Sequence, residues 1–170
     1  MNKLGIIFVS YRMPHMLADS LTPWITAKKE RTANIDYVIS AVSLPFAEYR
    51  EMGTPEDIET PAVLATHLTN GDIDYLITEP KYIAEYDART IACKQLIAAG
   101  CDYVAICDGD EIYTQESIAA IVQFVTLSPW HTWFRVCLKN YIFDRAHYLA
   151  EPFCPPRIAK VESGGYKLIS

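Results

Sequence analysis

The chain has 170 residues, which is enough for one domain with a substantial buried core. Apolar residues make up 51% and charged residues 21%, the composition of an ordinary globular protein. The formal net charge of −6 provides no basic surface, which argues against nucleic acid and anionic membranes as partners. A bound anion would therefore need local cations, either a few side chains or a metal ion.

The cysteines favour an intracellular protein. There are five of them, an odd number without a C-x-x-C pair, at Cys93, Cys101, Cys107, Cys137 and Cys154. Their mostly apolar surroundings predict reduced, buried thiols rather than disulfides or a zinc site. The N-terminal apolar run is too short for a signal peptide, and no stretch is long enough to span a bilayer. We therefore expect a cytoplasmic protein without a membrane span.

The first half of the chain alternates between strand and helix patterns. The apolar run at 4–10 predicts a strand buried on both faces. The helix that follows is expected to kink or restart at Pro23. A second strand is predicted at 35–43 and a third at 74–80, and the acidic, turn-rich segment between them contains one short helix near 60–68.

The second half continues the alternation. Asp87 is predicted to cap a helix over 88–99. A fourth strand at 102–107 follows, and Thr114 is predicted to cap the next helix, whose apolar residues recur at helical spacing. A further strand is expected at 132–143, whereas the tail from residue 151 is rich in Pro and Gly and shows no clear element before its last residues.

This order of elements predicts an α/β fold, with a mostly parallel central sheet flanked by helices, in a single domain of residues 1–170. In such sheets, ligands bind beyond the carboxyl ends of the strands. Three carboxylates follow the fourth predicted strand at this place, namely Asp108, Asp110 and Glu111.

The spacing of these acids suits a cation. Asp108 and Asp110 would point the same way in an extended segment, and Gly109 between them lets another group approach the backbone. Paired carboxylates at the mouth of an α/β sheet suit Mg²⁺ or Mn²⁺, which would keep open positions for the oxygens of a diphosphate. A solvated acidic turn is the alternative, because a D-x-D triplet by itself is common.

The residues around this triplet resemble a known family. The segment ARTIACKQLIAAGCDYVAICDGDEIYTQESIAAIV resembles the central part of family 2 glycosyltransferases, which have the GT-A nucleotide-diphospho-sugar-binding fold. LGIIFVSYRMPHMLADSLTPWI is similar to the opening strand and helix of that family, and the segments KNYIFD and YLAEPFCPPRI are similar to parts of bacterial members that act on surface polysaccharide. The resemblance covers roughly residues 3 to 158, with the donor-binding half at 3–128 the most evident part.

The resemblance implies a metal-dependent glycosyltransferase. It would transfer a sugar from a nucleotide-diphosphate donor, most simply a UDP-sugar, to a sugar or glycan acceptor. Asp108 and Asp110 would ligate Mn²⁺ or Mg²⁺. The nucleotide-sugar-binding residues carried over from the family are Val9, Ser10, Tyr11, Arg12, Asp87, Arg89, Asp108 and Gly109.

The position of Arg89 near a helix start has two interpretations. A cation near a helix start is unfavourable unless an anion lies beside it, which a bound diphosphate would provide. A pair with Glu85 or Asp87 is the alternative.

The catalytic base is not identified by the resemblance. The family's base lies well downstream of Asp-x-Asp, where Asp144, Glu151 and Glu162 are the available acids, and the resemblance does not choose among them. A non-catalytic nucleotide-sugar-binding protein or assembly partner therefore stays open, as does a nucleotidyltransferase. The absence of glycine in VSYRMPHM argues against the nucleotidyltransferase.

Overall fold

The computed structural model of the chain describes residues 1–53, 56–139, 141–142, 144–148, 151 and 153–161. The strands are β1 (Lys3–Val9), β2 (Asp36–Val42), β3 (Tyr75–Ile77), β4 (Tyr103–Asp108), β5 (Trp133–Arg135), β6 (Tyr141–Ile142), β7 (Asp144–Tyr148) and β8 (Pro156–Lys160). The α-helices are α1 (Leu17–Ser20), α2 (Thr22–Glu30), α3 (Ala47–Glu51), α4 (Glu59–Thr69), α5 (Glu85–Ala98) and α6 (Gln115–Leu127).

Six of the strands form one sheet in the order β3-β2-β1-β4-β8-β5. The first four in this order run parallel, and β8 is antiparallel to both β4 and β5. Strand β1 lies inside the sheet, where Val9 pairs with Val42 of β2 on one side and with Asp108 of β4 on the other. The predicted mostly parallel α/β sheet is therefore confirmed, and the carboxyl ends of β1, β2 and β4 lie at one edge.

Helices cover both faces of this sheet. One face buries Phe8 of β1 in a cluster with Trp24 of α2, and the other buries Ile7 in a cluster with Leu96 of α5. Burying an apolar side chain of this size stabilises the fold by about 1.5–3 kcal/mol. In a strand covered on both faces, an apolar side chain at any position is therefore stabilising. This explains the unbroken apolar run of β1. No helix in the described ranges combines the length and the apolar character needed to cross a membrane.

The two helices that flank β4 begin differently from each other. Helix α6 begins as predicted, because the Thr114 hydroxyl accepts a hydrogen bond from the Ser117 amide at 3.1 Å and the Thr114 amide donates to the Ser117 hydroxyl at 2.9 Å. The prediction that Asp87 caps α5 is wrong. That helix begins at Glu85, after Ala84, so Asp87 lies exposed within its first turn.

The tail contains a strand that the sequence analysis missed. Strand β8 lies between β4 and β5, with Ile158 beside Ala105 of β4 and Ala159 beside Val104. The strand predicted at 132–143 is also wrong in length. It is divided into β5, an isolated bridge between Leu138 and Phe153, and β6.

Two of the five cysteines form a disulfide. Cys137 and Cys154 are joined directly beside the Leu138–Phe153 bridge, so the expectation of reduced thiols is wrong for this pair. The three other cysteines are free and buried, as expected. Burial raises the pKa of Cys93 to about 11, which leaves this thiol protonated at neutral pH.

Candidate functional site

The ends of β1 and β4 meet at the carboxyl edge of the sheet. The Gly109 amide donates a hydrogen bond to the Val9 carbonyl at 2.6 Å, and the Ser10 amide donates to the Val42 carbonyl at 2.9 Å. Ser10 is only 2% exposed. The structure thus places Val9, Ser10, Asp108 and Gly109 side by side at the tip of the two strands.

Gly109 allows this close approach. A Cβ atom at this position would lie 2.8 Å from the Ser10 Oγ, 2.9 Å from the Ser10 Cβ and 3.1 Å from the Val9 carbonyl oxygen. Any other residue would require the Ser10 side chain or the strand ends to shift. The Ser10 hydroxyl beneath Gly109 is buried and has no hydrogen-bond partner within the described part of the chain, which is uncommon for a buried polar atom.

Two arginines converge on Asp108. Arg89 of α5 donates from Nη2 to Oδ1 at 2.7 Å, and Arg157 of β8 donates from Nη2 to Oδ2 at 2.9 Å. Each oxygen of this carboxylate therefore carries one guanidinium. Arg89 also pairs with Glu85 one turn earlier on α5, which is one of the two acidic partners expected for it, whereas its contact with a diphosphate stays a prediction.

Glu111 is the buried acid of the cluster. It pairs with Arg157 and accepts a hydrogen bond from the Tyr113 hydroxyl at 3.2 Å. Burial raises the pKa of Glu111, and Asp108 raises it further, while Arg157 opposes the shift. Burial alone would lower the pKa of Arg157, but the carboxylates of Asp108 and Glu111 outweigh it and raise the pKa. One guanidinium is thus shared between two acids.

Asp110 differs from both of its neighbours. It is exposed, and it has no hydrogen-bonding or ionic partner among the described residues. It lies on a cleft of about 730 Å³ whose other lining residues include Arg157, Ile112, Lys139 and Phe153. An ion that entered this cleft would find a carboxylate with open coordination positions.

The charges of the cluster leave a deficit of cations. Glu85, Asp108 and Glu111 share the guanidiniums of Arg89 and Arg157, and Asp110 has no arginine partner, so four carboxylates face two arginines and two negative charges remain. In the described ranges, no group of three or more His, Cys, Asp or Glu residues is arranged to hold a metal by itself. Mg²⁺ commonly binds through one or two carboxylates together with substrate phosphates and water. The residues present fit a metal of that kind.

Tyr11 and Arg12 follow Ser10 at the same edge. The Tyr11 ring is largely buried and stacks on Tyr49 of α3, with ring centroids 5.3 Å apart and an interplanar angle of 15°. Arg12 is exposed and has a left-handed backbone conformation, with φ 57°. Its amide donates to Asp57 at 2.5 Å, and Asp57 also accepts from the Thr60 amide at 3.1 Å. Asp57 therefore ties the end of β1 to the start of α4.

The hydrogen bonds to Asp57 have an electrostatic consequence. Burial alone would raise the pKa of this carboxyl, but hydrogen bonds from Thr60, Arg12 and Glu59 outweigh it and lower the pKa. The charged form of Asp57 is thus favoured by the fold.

Asp87 is exposed and is not among the residues that line the cleft. Asp87 is two residues from Arg89, a spacing that does not place two side chains on the same face of a helix. Glu151 is exposed and is not among the residues that line the cleft. Asp144 belongs to β7, but its side chain lies outside the description, as does the whole of Glu162.

Arg157 is the site residue that sequence reasoning missed. It follows two consecutive prolines, and the apolar pair Ile158–Ala159 after it is too short to predict a strand. Its position 49 residues after Asp108 gave no local signal of the contact.

No protein-family model and no curated protein matches the chain. Three similar solved structures are of S. aureus TarS, each 13% identical. The structure of TarS 1-349 in complex with UDP has a TM-score of 0.56 and is matched over 84% of this chain and 37% of that one. A second structure of TarS 1-349 has a TM-score of 0.55 and is matched over 93% of this chain and 47% of that one. A further TarS structure has a TM-score of 0.55, over 84% of this chain and 22% of that one.

The chain therefore spans less than half the length of each TarS structure that it matches. At this level of identity the likeness shows the fold. Together with the sheet order, it confirms the GT-A-like α/β fold class predicted from the sequence.

Proposed function

We propose that the chain is a metal-dependent glycosyltransferase of family 2 that takes its sugar from a UDP-sugar. One observation carries the proposal. The Asp108–Gly109–Asp110 turn packs on Ser10 and lies beside two arginines, at the carboxyl edge of a fold that is also found in a structure in complex with UDP. Ligands of open α/β sheets bind at this edge.

The arginines and the strand tips would bind the donor. A diphosphate accepts charge-assisted hydrogen bonds from guanidinium groups. The Nε atoms of Arg89 and Arg157 are buried without a partner among the described residues, which leaves each group with a spare donor. The backbone around Gly109, with the buried Ser10 hydroxyl beneath it, would lie next to the nucleotide, and Tyr11 and Arg12 follow Ser10 at the same edge.

A divalent cation would complete the donor site. Asp110 is the first candidate ligand because its carboxylate is open to the cleft, and Asp108 is the second. When bound, Mn²⁺ or Mg²⁺ supplies a Lewis acid that neutralises charge on the departing nucleoside diphosphate. The two unbalanced negative charges of the cluster support a cation at this place.

The cleft of about 730 Å³ would receive the acceptor. Phe153 and Ile112 on its lining are 52% and 41% exposed, which leaves apolar surface in the cleft for the apolar face of a sugar ring. The acceptor hydroxyl must lose its proton to a base as it attacks the anomeric carbon. The sugar and the acceptor would thus meet beside Asp110.

A nucleotide-sugar-binding protein without transfer activity is the second candidate, and one observation favours it. Among the described acids of the cleft, only Asp110 has no arginine partner, so no further carboxylate there is free to act as base once Asp110 holds the metal. Formation of a glycosylated product from UDP-sugar and a glycan panel would decide for the enzyme. Saturable binding with no product would decide for the binding protein.

Thermal shift measurements with UDP, GDP and dTDP, each with and without Mn²⁺, test the donor site. A nucleotide at about a hundredfold excess over its Kd should stabilise the protein by about 2.7 kcal/mol. Asp110→Asn should remove the Mn²⁺-dependent part of the UDP shift. Asp36→Asn, which removes the same charge at the opposite end of the strands, is the matched control. If no nucleotide shifts the melting point, or if Asp110→Asn keeps the full Mn²⁺ effect, the proposal is wrong.

A further inference from the structure

We propose that Arg157 is a positioning residue that keeps Asp108 away from a divalent cation until the nucleotide diphosphate binds. This inference rests on the proposed function and adds that binding of the cation depends on binding of the nucleotide. Cation and nucleotide would enter together, because Arg157 has to be offered a new anionic partner before Asp108 becomes available.

The contacts of Asp108 carry the first step. Oδ1 is held by Arg89 at 2.7 Å and Oδ2 by Arg157 at 2.9 Å, so each oxygen already gives one acceptor position to a guanidinium, and two positive charges beside the carboxylate oppose a cation. Asp110 alone offers a single carboxylate, and a divalent ion held by one carboxylate in an open cleft binds weakly. Without nucleotide, the acidic turn should therefore be a poor metal site in spite of its three acids.

The burial of Arg157 carries the second step. Its side chain is 12% exposed and lies against Glu111, whose side chain is 8% exposed. A metal that displaced this guanidinium from Asp108 would leave part of a buried positive charge without its counter-charge, which is strongly unfavourable. A diphosphate removes the difficulty, since its oxygens give the guanidinium new acceptors and give the metal further ligands.

The strand that holds Arg157 is well anchored. Ile158 and Ala159 pair with β4, and the disulfide at Cys154 ties the preceding residues to Cys137 on the cleft. The guanidinium therefore has little freedom to leave Asp108 by movement of its backbone. Exchange of its partners, rather than movement of β8, would release the carboxylate.

The test measures Mn²⁺ binding in the absence of nucleotide, by calorimetry or by the loss of the free Mn²⁺ resonance signal. The double variant Arg157→Gln/Glu111→Gln removes one positive and one negative charge. It therefore keeps the net charge of the cluster and leaves no unpaired acid at position 111. Because a cation would no longer compete with a charge-assisted hydrogen bond to Oδ2 of Asp108, we expect this variant to bind Mn²⁺ about tenfold more tightly than the unmodified chain. In the presence of Mn²⁺, UDP should bind to this variant more weakly.

Two single variants test whether the effect depends on the guanidinium at position 157 or only on the loss of a positive charge near the cleft. Lys139→Gln removes a positive charge from the lining of the same cleft, and it should change Mn²⁺ affinity less than the double variant does. Arg157→Lys keeps the charge but lacks the planar group that spans two carboxylates, so it should fall between the double variant and the unmodified chain. Melting curves confirm that each variant is folded.

The results distinguish this inference from the proposed function. If UDP with Mn²⁺ stabilises the unmodified chain but the double variant binds Mn²⁺ no more tightly, the role of Arg157 is wrong and the function stands. Tight Mn²⁺ binding by the unmodified chain without nucleotide, or an equal gain from Lys139→Gln, would also overturn the inference. If UDP has no effect on the unmodified chain with or without Mn²⁺, the proposed function fails and the inference fails with it.

Discussion

Substitution of Gly109 by alanine tests how closely the tips of β1 and β4 are packed. The added methyl group would lie 2.8 Å and 2.9 Å from the Ser10 side chain and 3.1 Å from the Val9 carbonyl. These distances are shorter than van der Waals contact. Gly109 is also the residue whose amide donates to Val9 at 2.6 Å, so the methyl group would strain that hydrogen bond.

The magnitude follows from two opposing effects. Overpacking of this kind destabilises a protein by about 1–3 kcal/mol. Replacing glycine by alanine restricts the unfolded chain and offsets about 0.4–1 kcal/mol of that loss. We expect a net loss of about 1–2 kcal/mol, which corresponds to a decrease in Tm of roughly 2–8 °C for a chain of this size.

The assay is thermal unfolding, combined with UDP titration in the presence of Mn²⁺. Gly5→Ala is a matched control, because its methyl group would crowd Leu96 in the core at 2.9 Å, far along β1 from the acidic turn. Both variants should lose stability, but only Gly109→Ala should weaken UDP binding. Adding Ser10→Gly removes two of the three close contacts, so the double variant should recover more than half of the stability that Gly109→Ala loses.

Two results would refute this reasoning. A Tm for Gly109→Ala equal to or above that of the unmodified chain would mean that the strand tips are not closely packed. An equal loss of stability in Gly109→Ala and in the double variant with Ser10→Gly would mean that the crowding comes from another group. Neither result depends on the identity of the ligand.

Three further predictions follow from local structure. Because hydrogen bonds lower the pKa of Asp57 in the folded state, they stabilise the fold at neutral pH, and this contribution is lost as the pH falls through the lowered pKa. Asp57→Asn should therefore lower the Tm at pH 7, and the difference from the unmodified chain should shrink below the ordinary aspartate pKa. Thr114→Ala removes the cap of α6, and should cost about 1 kcal/mol of unfolding free energy without changing UDP affinity. The disulfide closes a loop with a sequence separation of 17, so Cys137→Ser/Cys154→Ser should cost about 3 kcal/mol and abolish the sensitivity of the Tm to reductant.

Elements with a local signal were predicted well from the sequence. Strand β1 is an unbroken apolar run because it is covered on both faces, and helix α6 begins at Thr114 because a hydroxyl in that position satisfies an amide three residues later. The sequence also predicted β1 and β4 as strands of a mostly parallel sheet, and such strands end at a common edge, where Val9 pairs with Asp108. These features depend on residues that are close in the chain or on a general rule of topology.

Features that depend on distant partners were missed. Strand β8 is stabilised by pairing with β4, about fifty residues earlier in the chain. The prolines at its start argue locally against a strand. The disulfide forms because the Leu138–Phe153 bridge brings Cys137 and Cys154 together, which no spacing rule indicates. The start of α5 was misplaced because Asp87 is a good cap, yet the helix already begins two residues earlier.

The position of β8 changes the meaning of the three crowded acids. From the sequence, a metal ion was the expected partner of Asp108 and Asp110, but the returning strand already provides a guanidinium to Asp108 and to Glu111. Strand β8 also pairs with β4 and so covers an edge that would otherwise expose unpaired backbone groups. The donor-binding half predicted at 3–128 lacks this strand. Without it, Glu111 would be a buried carboxylate with no counter-charge, so the acidic turn requires the tail whether or not a metal binds.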